Sequence, residues 1–397
     1  WDDPTMSKGF RLAGRFEGVT TSPVRDILAV VNRGDVISFA GGIPDASLFE
    51  LDDFRAAYDH VLARQGRRAL QYAGTKGEPE LLEQVAARMN RHLLTTPGQV
   101  QVTSGSQEGI FLVGQTLLDP GDVVLVEQPT YLAAVQAFTL AGARLVAVET
   151  DAHGMLPDAL AAAIAAHKPK FVYLIPTFQN PTGRSMSAER RRDVAEVLLR
   201  TGVPLLEDDP YGELRFEGEA APPLAAVPGM SAQTVLLNSA SKVMAPGVRI
   251  GWLRAEGPIL RALEIAKQAV GLQSAVTDQL AVARYLATCD LDAHIAHVVE
   301  VYRERRNAMA DGLVRRLPGG ATVTRPEGGM FLWVALGDGT DTAASLSSAV
   351  DAGVAYVPGW SFFASDPDRS TMRLSFVTNA PGVIEDGLDR LAGALDW

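Results

Sequence analysis

Cysteine is almost missing from this chain. Cys289 is its one thiol, so neither an internal disulfide nor a thiolate metal cage can form, and a reducing cytoplasm is the setting that fits. It stands in an apolar helical stretch and reads as core filler. Lysine is nearly as scarce, present only at 8, 76, 168, 170, 242 and 267. Any chemistry that needs a lysine amine must choose among these positions. No run of about 18 apolar residues occurs, which excludes a transmembrane helix. There is no basic stripe, and the net charge is −11, so nucleic acid is not an expected partner. No secretory signal opens the chain: Trp1 to Thr5 carry acids and a proline, and Met6 fits a natural start behind a cloning scar.

What is present is enough for a large soluble body. The 397 residues are 47% hydrophobic and 21% charged, and single cores stop growing near roughly 250 to 300 residues, so one large domain with a smaller companion is expected. Short apolar runs at Val100 to Thr103, Val123 to Glu127, Leu145 to Glu149, Phe171 to Ile175, Pro204 to Glu207 and Val235 to Asn238 read as buried strands. Between them Gly109 to Leu118, Tyr131 to Ala141, Pro157 to Ala166 and Ala188 to Arg200 read as helices. This alternation implies an α/β domain with a mostly parallel sheet covered on both faces. After Gly257 come two long helical stretches, Pro258 to Thr288 and Leu291 to Leu317. Strands near Thr322, Phe331, Ala355 and Arg373 then suggest a smaller α+β domain. The expected division is an N-terminal arm over 1–44, packed on the small domain, a large domain over 45–289 and a small domain over 290–397.

Ligands of an open α/β sheet bind outside the carboxyl ends of its strands, so the residues just after each strand are informative. Ser104-Gly105-Ser106-Gln107 leads straight into a helix, where free N–H groups and the helix dipole suit a phosphate; an ordinary helix cap would look the same. Asn180-Pro181-Thr182-Gly183 fixes an amide on a turn, or is only a turn. Glu207-Asp208-Asp209-Pro210-Tyr211 puts three acids at the end of an apolar run, where a partly buried carboxylate needs a cation, from a ligand or a structural ion pair. Ser239-Ala240-Ser241-Lys242, with Arg249 following, is the most telling piece. A strand-end lysine beside positive charge is what an imine-forming amine of depressed pKa requires. The other lysines, Lys267 included, read as solvated surface charges.

Together these motifs resemble the pyridoxal 5'-phosphate (PLP) site of fold type I aminotransferases of class I and II. The subgroup of 2-aminoadipate aminotransferases and kynurenine aminotransferase II is nearest. Ser22-Pro23-Val24-Arg25, Phe39-Ala40-Gly41-Gly42-Ile43-Pro44, Leu70-Gln71-Tyr72, Gly328-Gly329-Met330-Phe331 and Met372-Arg373-Leu374-Ser375 carry that further likeness, which covers nearly the whole chain. The resemblance implies that Lys242 holds the cofactor as a Schiff base and moves the substrate proton. It implies that Asp208 pairs with the ring nitrogen, that Asn180 and Tyr211 bond the ring's phenolic oxygen, and that Tyr131 stacks on the ring. Ser104, Ser106, Gln107, Ser239, Ser241 and Arg249 match the phosphate-side contacts, and Tyr72 matches a tyrosine that reaches the neighbouring subunit's phosphate, so a homodimer is implied. Arg373 and Asn180 match the substrate-carboxylate site, with Gly42 and Arg25 beside the substrate. A cis Asn180-Pro181 bond is also expected.

The activity implied is amino transfer from an L-amino acid of glutamate, 2-aminoadipate, branched-chain or aromatic type to a 2-oxo acid. The same cofactor also supports decarboxylation, β-elimination and oxidation, and the motifs do not separate these. A ligand-sensing regulator is disfavoured, since about 35 residues precede the motifs, too few for a winged helix. His294, His297 and Glu300 lie along one helix and could be drawn as a metal site, but a solvated helical pair is the expected reading, and no metal is expected.

Overall fold

The computed structural model describes residues 6–7, 10–16, 36–337 and 339–397. Ser22 to Arg25, and with them the expected substrate contact Arg25, lie outside the described residues.

The large sheet is built from β1 (Val100–Thr103), β2 (Val123–Glu127), β3 (Arg144–Val148), β4 (Phe171–Leu174), β5 (Leu205–Asp208), β6 (Thr234–Ser239) and β7 (Gly251–Arg254), in the order β1-β7-β6-β5-β4-β2-β3. Five neighbours, β6 to β3 in that order, pair in parallel, and β7 runs antiparallel between β6 and β1. The strands are continuous apolar runs because helices cover both faces. After α1 (Leu51–Ala69), which packs on the helix Val276–Thr288, the helices on those faces include α2 (Pro79–Met89), α3 (Ser106–Leu117), α4 (Leu132–Leu140), α5 (Pro157–His167) and α6 (Ala188–Thr201). α6 shows how the sequence sets its own ends: the Ser187 side chain accepts from Arg190 N, and Gly202 at φ +70° closes the last turn.

The stretch expected as one helix over Pro258 to Thr288 is two, α7 (Pro258–Gly271) and α8 (Val276–Thr288). The break has visible partners. Leu272 adopts φ +63°, Gln273 Oε1 accepts from Ala73 N at 2.6 Å, and Gln279 Oε1 accepts from Glu78 N at 2.8 Å. Those bonds tie the join to the segment before α2 and outweigh the helical pattern. Cys289 caps the end of α8 and is half-buried against the core, rather than lying inside a helix.

α9 (Leu291–Arg316) leads into a second, antiparallel sheet of order β8-β9-β11-β10, made of β8 (Thr322–Val323), β9 (Phe331–Ala335), β10 (Val357–Pro358) and β11 (Thr371–Ser375). α10 (Leu346–Asp351) and α11 (Pro381–Ala394) complete this part, with Leu388 and Leu391 of α11 buried in the core it shares with α9. Ile37–Ser38 pairs in parallel with Val354–Ala355, and Phe39 O accepts from Ser375 N at 2.7 Å. The segment before α1 is thereby stitched to the second sheet. No helix among the described residues is long and apolar enough to cross a membrane.

Candidate active site

All the parallel strands end on one edge of the large sheet, and the antiparallel β7 begins there, so the loops after β1, β2, β4, β5 and β6 and the one before β7 converge. Lys242 follows β6 and its Nζ donates to Gly42 O at 2.9 Å. Burial, with the positive charges of Arg373 and Arg249, pulls its amine down to about 8.

Asp208 ends β5 and is 2% exposed. Its Oδ2 accepts from Tyr173 Oη at 2.9 Å, while its Oδ1 is buried without a hydrogen-bond partner. Burial pushes this carboxyl up to about 7, against the pull of the Tyr173 hydroxyl, and the nearby Asp209 adds to the rise. Strand alternation sends Glu207 and Asp209 the other way, toward the charge of Arg191. Glu207 further accepts from Leu224 N at 2.8 Å and Ala225 N at 2.9 Å. Of the three acids, Asp208 is thus the one with no cationic side chain to answer it.

Asn180 follows β4 through a cis peptide to Pro181, as expected; Gln128-Pro129 is cis as well. The Asn180 side chain bridges the two sheets, accepting from Arg373 Nη1 at 2.9 Å and donating to Tyr211 Oη at 3.5 Å. Arg373, in the middle of β11, is 3% exposed and donates through Nη2 to Ala40 O at 2.7 Å. Its guanidinium lies 4.2 Å from the Phe331 ring centre and 5.0 Å from that of Phe362. Burial lowers its pKa to about 10, and its Nε has no partner. Gly42 sits under Phe331, where a Cβ would come within 2.6 Å of the ring. Tyr131 opens α4 and acts electrostatically on Tyr211, Tyr173 and Arg373.

The loop after β1 is held tightly. Arg249, itself at φ +49°, donates through Nη2 to Ser104 O at 2.7 Å. Gly105 has φ +83°, and a Cβ there would strike the Arg249 guanidinium. A Cβ on Gly251 would come within 2.8 Å of the Gly105 backbone. Ser106 starts α3, and Ser239 Oγ donates to Ser241 Oγ at 2.8 Å. Gln107 donates through Nε2 to Ala133 O at 3.2 Å, and its Oε1 is buried without a partner. Tyr72 stands apart, 78% exposed.

Some participants were not legible in the sequence. Tyr173 reads only as one apolar position of a strand, and the packing of Phe331, at the start of β9, and Phe362, at the end of a 3-10 turn, around Arg373 is not visible in the chain. Lys267 corrects the expectation of a surface charge: it is fully buried, and its Nζ donates to Glu108 Oε2 at 2.7 Å. The ion pair replaces the water that a lysine otherwise needs.

The donor set fits PLP. An orphaned buried carboxylate oxygen suits a protonated ring nitrogen, a near-neutral lysine amine suits covalent attachment, and a backbone cradle with no room for side chains, beside an arginine, suits a phosphate.

The comparisons with known proteins agree. The family described as aminotransferase class I and II matches residues 35–391. The aromatic-amino-acid aminotransferase 1 of Thermococcus litoralis is 39% identical over 98% of this chain and 95% of its own length. The 2-aminoadipate transaminase of Thermus thermophilus is 36% identical over 96% and 95%. A crystal structure of the α-aminoadipate aminotransferase of Thermus thermophilus, complexed with N-(5'-phosphopyridoxyl)-L-leucine, superposes with a TM-score of 0.91 at 34% identity, covering 97% of each chain. With fold, site and family match in agreement, the chain belongs to the class I and II aminotransferases, PLP-dependent transaminating enzymes of fold type I.

Proposed function

We propose that this aminotransferase moves the amino group of an L-amino acid of glutamate, 2-aminoadipate, branched-chain or aromatic type to a 2-oxo acid, with Lys242, Asp208 and Arg373 in the central roles. The observation that carries the residue assignment is the buried, unpartnered Asp208 Oδ1 on the same sheet edge as the Lys242 amine. Bound PLP supplies the sink for the electron pair left when the Cα–H bond breaks. Asp208 keeps the ring nitrogen protonated. The amine of Lys242, near 8, takes the Cα proton and returns it at neutral pH. Asn180 and Tyr211 hold the phenolic oxygen, Tyr131 covers the ring, Ser106, Gln107, Ser239, Ser241 and Arg249 hold the phosphate, and Ser104 shapes the loop that receives it.

Arg373 binds the substrate carboxylate. Arg373→Met is expected to raise the KM for amino donors about 100-fold, as loss of a bidentate charged contact does. The cofactor should still bind and give its visible band, and an unchanged KM would remove Arg373 from the substrate site.

The substrate range rests on the relatives, one named for aromatic amino acids and one for 2-aminoadipate, and on the leucine adduct in the superposed structure. Arg25 is proposed to meet an acidic side chain or swing aside for an apolar one. The exposed Tyr72 supports a homodimer in which it completes the partner's phosphate site. The arm over 1–44, large domain over 45–289 and small domain over 290–397 belong to the same reading, as does a cytoplasmic setting, which the lone Cys289 fits. The test is an absorbance titration of loaded enzyme with single amino acids and no oxo acid. Loss of the visible band, restored by 2-oxoglutarate or pyruvate, is expected. Release of carbon dioxide or ammonia would replace transamination by another PLP reaction.

A further inference from the structure

We propose that the buried Lys267–Glu108 pair is a positioning device for the cofactor's phosphate, setting both the shape and the charge of the loop that receives it. The proposal rests on the reading that PLP binds at the carboxyl edge of the large sheet. Ser104 is fixed through every polar group it has. Its N–H donates to Glu108 Oε2 at 2.6 Å, its Oγ lies 3.2 Å from Ser274 Oγ, and its carbonyl accepts from Arg249. Lys267 closes the ring behind it, donating to Glu108 Oε2 at 2.7 Å and to Ser274 Oγ at 3.0 Å. Ser274 can do this only because the chain breaks between α7 and α8. With Ser104 pinned, Gly105 and the first N–H groups of α3 have little freedom.

Charge is the second half of the argument. Glu108 stands in the first turn of α3, where a carboxylate is favoured by the helix dipole. That same helix end is where a phosphate dianion has to sit, and two anions in one place repel. The Lys267 ammonium offsets the carboxylate while leaving Glu108 free to hold Ser104 N. Removing the lysine therefore leaves a bare carboxylate behind the phosphate. Replacing the glutamate by glutamine keeps an acceptor for Ser104 N and removes the repulsion. A pair that merely stitched α7 to α3 would show no such asymmetry, since either loss would leave one buried charge unpaired.

The test compares binding of PLP with binding of pyridoxal, which lacks the phosphate, to cofactor-stripped protein, followed by visible absorbance. Lys267→Met is expected to weaken PLP about 100-fold, with pyridoxal changed less than about 3-fold. Glu108→Gln is expected to stay within about 3-fold of the unaltered protein for both, and the double variant within about 10-fold. Equal losses of PLP and pyridoxal, no loss of PLP, or a Glu108→Gln loss as large as that of Lys267→Met would each overturn the proposal. If Lys267→Met does not fold, Glu108→Gln and the double variant decide. Retained preference for PLP over pyridoxal supports the proposal, and a fall of about 30-fold in that preference overturns it. Unaltered protein that binds no PLP at all would instead sink the cofactor site on which the proposal rests.

Discussion

Lys242→Ala is expected to lower kcat by about 10⁴-fold or more, because the proposed mechanism has one side chain both anchor the cofactor and carry the proton. The amine has the position and the acidity for this work, lying at the carboxyl edge of the sheet with a pKa near 8 set by burial, Arg373 and Arg249. Substrate binding should suffer less than turnover, since Arg373 and Asn180, the proposed carboxylate contacts, stand on another strand and loop. The check that isolates the lysine is chemical. Borohydride fixes a covalent link between a lysine and PLP, so reduction of the unaltered protein followed by peptide mass mapping should place the added mass on the peptide of Lys242. Mass on any other lysine, or a variant that keeps more than a few per cent of kcat, would remove Lys242 from the centre of the mechanism.

Much of this site could be read from the chain because open α/β sheets place their chemistry where strands end. Six of the seven strands of the large sheet announce themselves as apolar runs, and β1 and β2 match their expected bounds to the residue. Asp208, Asn180 and Lys242 then follow from asking what stands at the strand's end or in the loop after it. The chain is silent where a residue's meaning depends on a distant partner. Lys267 looks like a surface charge because its acid lies 159 positions away. The direction of β7 was equally hidden, since an apolar run has no arrow and the short link from β6 alone hints at antiparallel pairing. The break after α7 was missed because Gln273 and Gln279 are ordinary helix residues, and only their bonds to Ala73 and Glu78 give the interruption a purpose.

Asp208→Asn is expected to cost about 10³-fold in kcat/KM, roughly 4 kcal/mol of transition-state stabilisation. Asparagine can still accept from Tyr173 but can no longer balance a protonated ring nitrogen, so the electron sink is weakened just where charge develops. The same carboxylate gives a second readout in the cofactor-free protein. Its pKa, like those of Glu207 and Glu127, is raised by burial to about 7 from an ordinary carboxylate value. Between roughly pH 4 and 7 the folded state therefore keeps protons that the unfolded chain has released, and stability falls as pH rises through that window. Removing Asp208 removes one of these protons. Thermal melts of the cofactor-free proteins should show the unaltered chain losing several degrees more than the variant between pH 5 and 8. If Asp208 pairs with the ring nitrogen as proposed, loading with PLP should stabilise the unaltered chain more than the variant at pH 8. Parallel pH profiles for the two cofactor-free proteins would mean that Asp208 does not titrate in this window, and an equal response of both proteins to PLP would remove its pairing with the ring nitrogen.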